Sequence, residues 1–312
     1  MKKILVTGGA GFIGSALVKR LQQAPYEVFV LDNLSFGHRD FVSIPDTHFF
    51  EEDLLNATAI ESVIKHINPD WVLHLAAIHF IPYCNQHPFE ASNINIQGTF
   101  HLLEALKQTS VQKVMFASTA AVYPAVAFPL KETHATGPMD IYGLSKWAGE
   151  QLMHRFYLET AIPTVVCRFF NAIGPNETNP HLFPTILAQI QAGERTIRLG
   201  NLTPKRDYIH VNDLAEAVHQ LMLAADNAYG YDVFNLGSGQ EYSVLEIVRA
   251  FEEVLGEKIT IKTDETKVRK VERVHLVADM SKLQSYLGWS PTFGIREAIR
   301  DLLTTSSQPL SL

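Results

Sequence analysis

Apolar positions in the first half of the chain cluster in short runs, each followed by a glycine-rich or polar break and then a stretch of helical period. Ile4, Leu5 and Val6 form such a run, which predicts a buried parallel strand ending at Thr7-Gly8. A helix follows over 15–22, with Ala16, Leu17 and Leu21 on its inner side. Further strands are predicted at 27–31, 48–51, 70–75, 111–117 and 165–169, and helices over 57–66, 93–106 and 140–158. Beyond residue 170 the composition shifts to a proline-containing polar loop. The pattern then predicts helices at 184–192, 212–224, 243–255, 281–287 and 294–303, and strands at 196–199, 232–236 and 258–262. Ser243 and Glu246 have capping-box spacing, and 304–312 reads as a frayed end. The alternation predicts an α/β fold: a Rossmann-like doubly wound parallel sheet over 1–170, with 205–236 returning to it. A smaller C-terminal α/β substrate domain is expected over 171–312, interleaved with the first.

At 312 residues the chain has room for a substantial core. A net charge of −7 without any Lys/Arg run gives no support for nucleic-acid or polyanionic partners. Apolar stretches are too broken for a membrane span. The N-terminus enters the first strand with no leader pattern, so the cytoplasm is the expected location. Cys84 and Cys167 lack metal-ligand spacing and read as reduced packing residues. The histidines do not pair at HxH or HxxxH spacing, and no metal is expected.

The candidate chemistry starts at the first turn. Gly8, Gly11 and Gly14 stand at three-residue spacing between strand and helix. That arrangement receives a dinucleotide pyrophosphate on backbone N–H groups, or else makes a tight turn with no ligand. Asp32 follows Gly14 by about 18 residues, close to the spacing of a ribose-binding carboxylate, which favours NAD over NADP. Asp53 is placed to meet the adenine amino group or to cap the next helix. Ala76-Ala77 are small where the chain passes the cofactor. Tyr142 and Lys146 share a helix face four residues apart. A tyrosine is a poor base at its usual pKa of about 10, and a nearby lysine cation is expected to favour the phenolate. Such a pair takes a proton from a hydroxyl while a nicotinamide takes the hydride. Thr119 is the expected hydroxyl for the substrate oxygen, unless it or Ser118 only caps the strand end. Arg206 reads as a surface residue or as a fork for a diphosphate. Arg269 and Glu272 read likewise, or as part of a solvated charged stretch. The residues 168–171 bring charge and amide groups to the same end.

Together these motifs resemble the extended short-chain dehydrogenase/reductase family: TGGAGFIGS, DNLS, HLAA, NINIQGT, STAAVY, YGLSK, RFFNAIGP, RDYIHVNDLA, NLGSG and ADMSKL…LGW. The resemblance spans nearly the whole chain and is most similar to nucleotide-sugar 4-epimerases of the UDP-glucose 4-epimerase type. It implies NAD held by Gly8, Gly11, Phe12, Ile13, Asp32, Asn33, Asp53, Leu54, Leu75, Ala76, Ala77, Asn93, Tyr142 and Lys146. It implies Tyr142 as catalytic base, Lys146 on the nicotinamide ribose and Thr119 as their hydroxyl partner. A UDP-sugar or other nucleotide sugar is then held by Thr119, Asn171, His181, Leu182, Leu199, Arg206, Arg269 and Glu272. The implied cycle is oxidation at C4, rotation of the keto sugar and hydride return, with NAD recycled. It also implies a homodimer through the helices that begin at Asn93 and Asp140, where Leu103 and Met153 are read as outward apolar positions.

Some positions depart from the family pattern. Dehydratases carry an Asp-Glu pair after the catalytic threonine, and decarboxylases an acid in the same segment; here Ala120-Ala121 stand there. Those reactions are the alternatives, with a non-catalytic NAD-binding regulatory protein as the second, against which the intact Thr119, Tyr142 and Lys146 argue. Segments 76–88 and 176–184 are unlike the common version. Leu276 replaces a large tyrosine at a position that gates sugar size, which leaves glucose, N-acetylglucosamine and glucuronate derivatives open. His79 faces the sugar or is a loop histidine.

Overall fold

A computed structural model describes residues 1–224, 230–265 and 273–305. Its strands, in chain order, are β1 (Lys2–Thr7), β2 (Tyr26–Leu31), β3 (Phe49–Phe50), β4 (Trp71–His74), β5 (Lys113–Thr119), β6 (Thr164–Phe169), β7 (Asn171–Ile173), β8 (Thr196–Leu199), β9 (Lys205–His210), β10 (Tyr231–Leu236), β11 (Glu241–Ser243) and β12 (Thr260–Thr263). Seven of them make one parallel sheet in the order β10-β6-β5-β4-β1-β2-β3. Strand order reverses between β1 and β4, the switch point at which such sheets open a ligand crevice.

The continuous apolar runs are explained by burial on both faces. Ile4 and Val6 of β1 join one core cluster while Leu5, pointing the other way, joins a second. Helix Val211–Ala224 packs beside helix Phe12–Leu21 on the first face. The smaller lobe has its own core of Ile173, Phe183, Ile186, Ile197, Phe251 and Ile299. Its strands form two short sheets, β11-β9-β7 and β12-β8. The return to the large sheet starts at Val211, because Lys205–His210 pairs with Asn171–Ile173 and Glu241–Ser243 in the small one.

Several boundaries differ from the sequence reading. The first helix begins at Phe12, directly after Gly11, and the third strand has only two residues. Helices Ile81–Gln86 and Pro88–Ser92 fill a stretch without clear periodicity. The expected helix over 93–106 opens with a π-helical turn, Asn93–Gly98, before α-helix Thr99–Leu106. That wider turn aims the buried Asn95 amide at the loop after β4, where it bonds Ile78 N and O at 2.8 and 2.9 Å. Leu103 and Met153, read as outward, are buried at 3% and 0% exposure; Phe100, Leu144 and Leu158 are the exposed apolar residues of those helices.

Candidate active site

A cleft of about 590 Å³ runs over the C-terminal ends of the central strands and is lined by both lobes. Its floor is the first turn. Gly8 has φ +69°, and a Cβ there would sit 2.7 Å from Ala76 N. A Cβ on Gly14 would sit 2.0 Å from the Gly8 carbonyl oxygen. No side chain caps helix Phe12–Leu21, so its first N–H groups are left for an anion. Gly8, Gly11, Phe12 and Ile13 all line the cleft.

Asp32, at the end of β2, accepts from Ala10 N and Leu34 N, both at 2.9 Å. Burial raises its carboxyl above the usual carboxylate range, and those two backbone donors offset this only in part. Asn33 Nδ2 donates to Asp53 Oδ2 at 2.7 Å, and Asp53 Oδ1 accepts from Leu55 N. The cap of the following helix is Asn56, not Asp53. Leu54, Leu75, Ala76 and Ala77 line the cleft, whereas Asn93 does not and Ile94 does. Free N–H donors at an uncapped helix start, a carboxylate acceptor and a floor of small residues are what a dinucleotide with an unphosphorylated ribose needs.

Thr119 ends β5, and Tyr142 sits in the first turn of helix Ile141–Thr160. Asp140 caps that helix by accepting from Gly143 N at 2.7 Å. The Thr119 hydroxyl adjoins the Tyr142 phenol closely enough to act on its pKa. Lys146 is one turn further on, 3% exposed, with Nζ 4.4 Å from the Phe116 ring centre. Burial pushes Lys146 down to about 7, opposed by the Glu150 charge. Burial also pushes Tyr142 up, and the Thr119 hydroxyl pulls it down. Desolvation is the largest influence on the phenol.

Ser118 donates to Glu150, which leaves Thr119 as the hydroxyl aimed at Tyr142. Arg168 points away from the cleft into the same buried carboxylate. Asn171, His181, Leu182, Leu199 and Arg206 line the other end. Arg269 and Glu272 lie outside the described residues. Among the described residues, no cluster of three or more His, Cys, Asp or Glu is placed to hold a metal ion.

Residues 4–237 match the NAD dependent epimerase/dehydratase family. The chain belongs to that family. It is 34% identical over 308 residues to the UDP-glucose 4-epimerase of Lacticaseibacillus casei, covering 93% of this chain and 92% of that one. The UDP-glucose 4-epimerase of Brucella ovis in complex with NAD superposes with a TM-score of 0.90 at 29% identity, covering 98% of both chains. A UDP-glucuronic acid 4-epimerase of Bacillus cereus, in complex with UDP-glucuronic acid and NAD, gives 0.85 at 28%, covering 97% of this chain and 98% of that one.

The family pattern does not prepare for the loop 176–181. Asn176 Nδ2 donates to Ser15 Oγ at 3.2 Å, Thr178 Oγ1 to Phe36 O at 3.1 Å, and Asn179 Nδ2 lies 3.0 Å from His79 Nε2. One helix and two loops beside the large sheet are thereby tied to one segment of the small lobe. His79 lines the cleft, and burial, with His181 and Lys146 nearby, pushes it down to about 4, so it is neutral near pH 7. His181 pairs with Glu177. Arg273 was hidden in the charged stretch that ends with it, yet it lines the cleft and reaches Ala121 O, Tyr123 O and Asp140. Leu276 lines the cleft as well.

Proposed function

We propose that this chain interconverts the C4 epimers of a UDP-hexose, with NAD as a recycled cofactor. The observation that carries this is the meeting of Thr119, Tyr142 and Lys146 on the wall of the switch-point cleft of a chain in this family. NAD, when bound, would supply reversible hydride transfer at C4. Gly8, Gly11 and the N-terminus of helix Phe12–Leu21 would hold its pyrophosphate, and Asp32 its adenosine ribose. Tyr142 takes the proton of the C4 hydroxyl and gives it back, while Thr119 holds that oxygen in place. Lys146 is the protein's own compensating charge for the phenolate, and Glu150 favours its charged form.

Elimination of water from C5–C6 needs an acid beside the threonine; Ala120 and Ala121 offer none. The family relatives span neutral and uronate sugars. For the nucleotide, Asn171, Arg206, His181, Leu182 and Leu199 form the contact surface. We further propose a homodimer through helices Thr99–Leu106 and Ile141–Thr160, whose exposed Phe100, Leu144 and Leu158 supply an apolar face. A cytoplasmic setting fits the two buried free thiols. No helix among the described residues is long and apolar enough to cross a membrane.

The test is turnover of a panel of UDP-sugars by the purified protein, resolved by chromatography and mass. A C4 epimer of unchanged mass is the expected product, and Tyr142→Phe lowers kcat by roughly 10²–10⁴-fold. A product lighter by one water, or full activity in that variant, overturns the mechanism.

A further inference from the structure

Arg273 is anchored at both ends of the cleft. Its carbonyl oxygen accepts from Arg206 Nη1 at 2.8 Å. Its Nη2 donates to Ala121 O at 3.1 Å and Tyr123 O at 3.3 Å, and its Nη1 lies 3.4 Å from Asp140 Oδ2. The Arg273 and Asp140 side chains are each only 10% exposed. The acceptors belong to the two segments that carry the proposed catalytic pair: the turn after Thr119 and the start of the Tyr142 helix. These segments already touch closely, since a Cβ on Gly143 would sit 2.4 Å from Ala121 O.

We propose that Arg273 is a positioning residue that pins the turn 120–123 to the N-terminus of helix Ile141–Thr160, and so keeps the Thr119 hydroxyl and the Tyr142 phenol in register. This rests on the catalytic reading of that pair. The bond from Arg206 to the Arg273 carbonyl extends the tie to the nucleotide end of the cleft. Only a planar fork serves acceptors on two segments at once; an ammonium at that place has the charge but not the reach. The tie is also electrostatic. The Asp140 charge acts to raise Tyr142, and Arg273 lies against that carboxylate. The other groups facing Tyr142 are Thr119 and Cys84. Lys146 follows on the same helix, answering to Glu150, and its charge is felt by His74 and His79.

The experiment compares Arg273→Met, Arg273→Lys and Asp140→Asn with the parent holoenzyme. It measures kcat, KM for UDP-glucose and the pH profile of kcat/KM. Arg273→Met is expected to lower kcat roughly tenfold to a hundredfold, the loss appearing in kcat rather than KM. Its ascending pH limb moves up by about half a unit to one unit, whereas Asp140→Asn, which keeps a capping side chain, moves that limb down. A staple with a purely structural role lowers the melting temperature and moves neither limb. If Arg273→Met does not fold, Arg273→Lys decides: reduced kcat supports the proposal, and parental kcat overturns it. A parental kcat and pH profile in Arg273→Met overturn positioning alone, provided Tyr142→Phe is inactive. An active Tyr142→Phe overturns the catalytic reading and this proposal together.

Discussion

The Arg168 guanidinium forks onto the Glu150 carboxylate, Nε to Oε1 at 2.9 Å and Nη2 to Oε2 at 2.7 Å, with both side chains out of solvent. Tyr123 completes the cluster, its hydroxyl accepting from Arg168 Nη1 and donating to Asn235 Oδ1, each at 2.8 Å. Removing one half of such a pair strands the other. Glu150→Ala is therefore expected to cost about 3–5 kcal/mol in urea unfolding. Joint replacement by Glu150→Leu and Arg168→Met should recover most of that. Equal stability of the single and double variants would show that the ion pair is not what the site depends on.

Asp32 holds two backbone N–H groups before any ligand is considered. Asp32→Ala loses the ribose acceptor and loosens the turn that carries Gly8–Gly11. NAD is expected to bind roughly tenfold to a hundredfold more weakly, as titration calorimetry reads it. Asp32→Ser should narrow the gap between NAD and NADP, since the repulsion of a 2′-phosphate goes with the charge. An unchanged NAD/NADP ratio in that variant contradicts the assignment.

His74 lies between two threonines, Nδ1 at 2.7 Å from Thr7 Oγ1 and Nε2 at 2.9 Å from Thr99 Oγ1. Burial, with the Lys146 charge behind it, holds its pKa down at about 3. The unfolded chain takes up this proton near pH 6.5 and the folded chain does not. Stability is thus lost as pH falls from about 6.5 toward 3, by up to about 1.4 kcal/mol per pH unit from this residue. His74→Gln should flatten the acid slope of unfolding free energy by that amount. Parallel slopes for the two proteins over pH 4.5 to 6.5 would refute it.

Leu276 is buried and lines the cleft. Leu276→Tyr fills space that a 2-acetamido group needs. The variant is expected to lose kcat/KM for UDP-N-acetylglucosamine at least tenfold relative to UDP-glucose, since overpacking costs about 1–3 kcal/mol. A uniform loss for both sugars would mean that this wall does not sort them.

The family, the parallel sheet and the cofactor were legible because they rest on local signals. A β-branched run, a glycine turn and an acid at the next strand end each occupy a few adjacent residues. Tyr142 and Lys146 were legible for the same reason, being one helical turn apart. What escaped was set by tertiary contact. Arg273 has the look of a solvated charge, and only the packing of the small lobe brings it to Ala121 O. Arg168 seemed to face the ligand, but its strand neighbours fix the alternation and turn it toward Glu150. Leu103 and Met153 seemed outward because both faces of their helices carry apolar residues; the π-helical turn at Asn93–Gly98 and helix crossings decide which face is covered. What the local spacing could not show is that both Tyr142 and Lys146 are buried, so that desolvation acts on each against its charged form.

The crossing at 176–181 bears on how the lobes move. Ser15 stands in helix Phe12–Leu21, and Phe36 and His79 on two separate loops, so their bonds to Asn176, Thr178 and Asn179 attach the segment to three different elements rather than one. Two points would leave an axis for rotation; three on separate elements leave none. A rigid-body opening of the cleft must then break at least one of these bonds, and a full separation all three. The loop behaves as a tripod under the cleft, and separation of the lobes has to start with the loss of one of its feet.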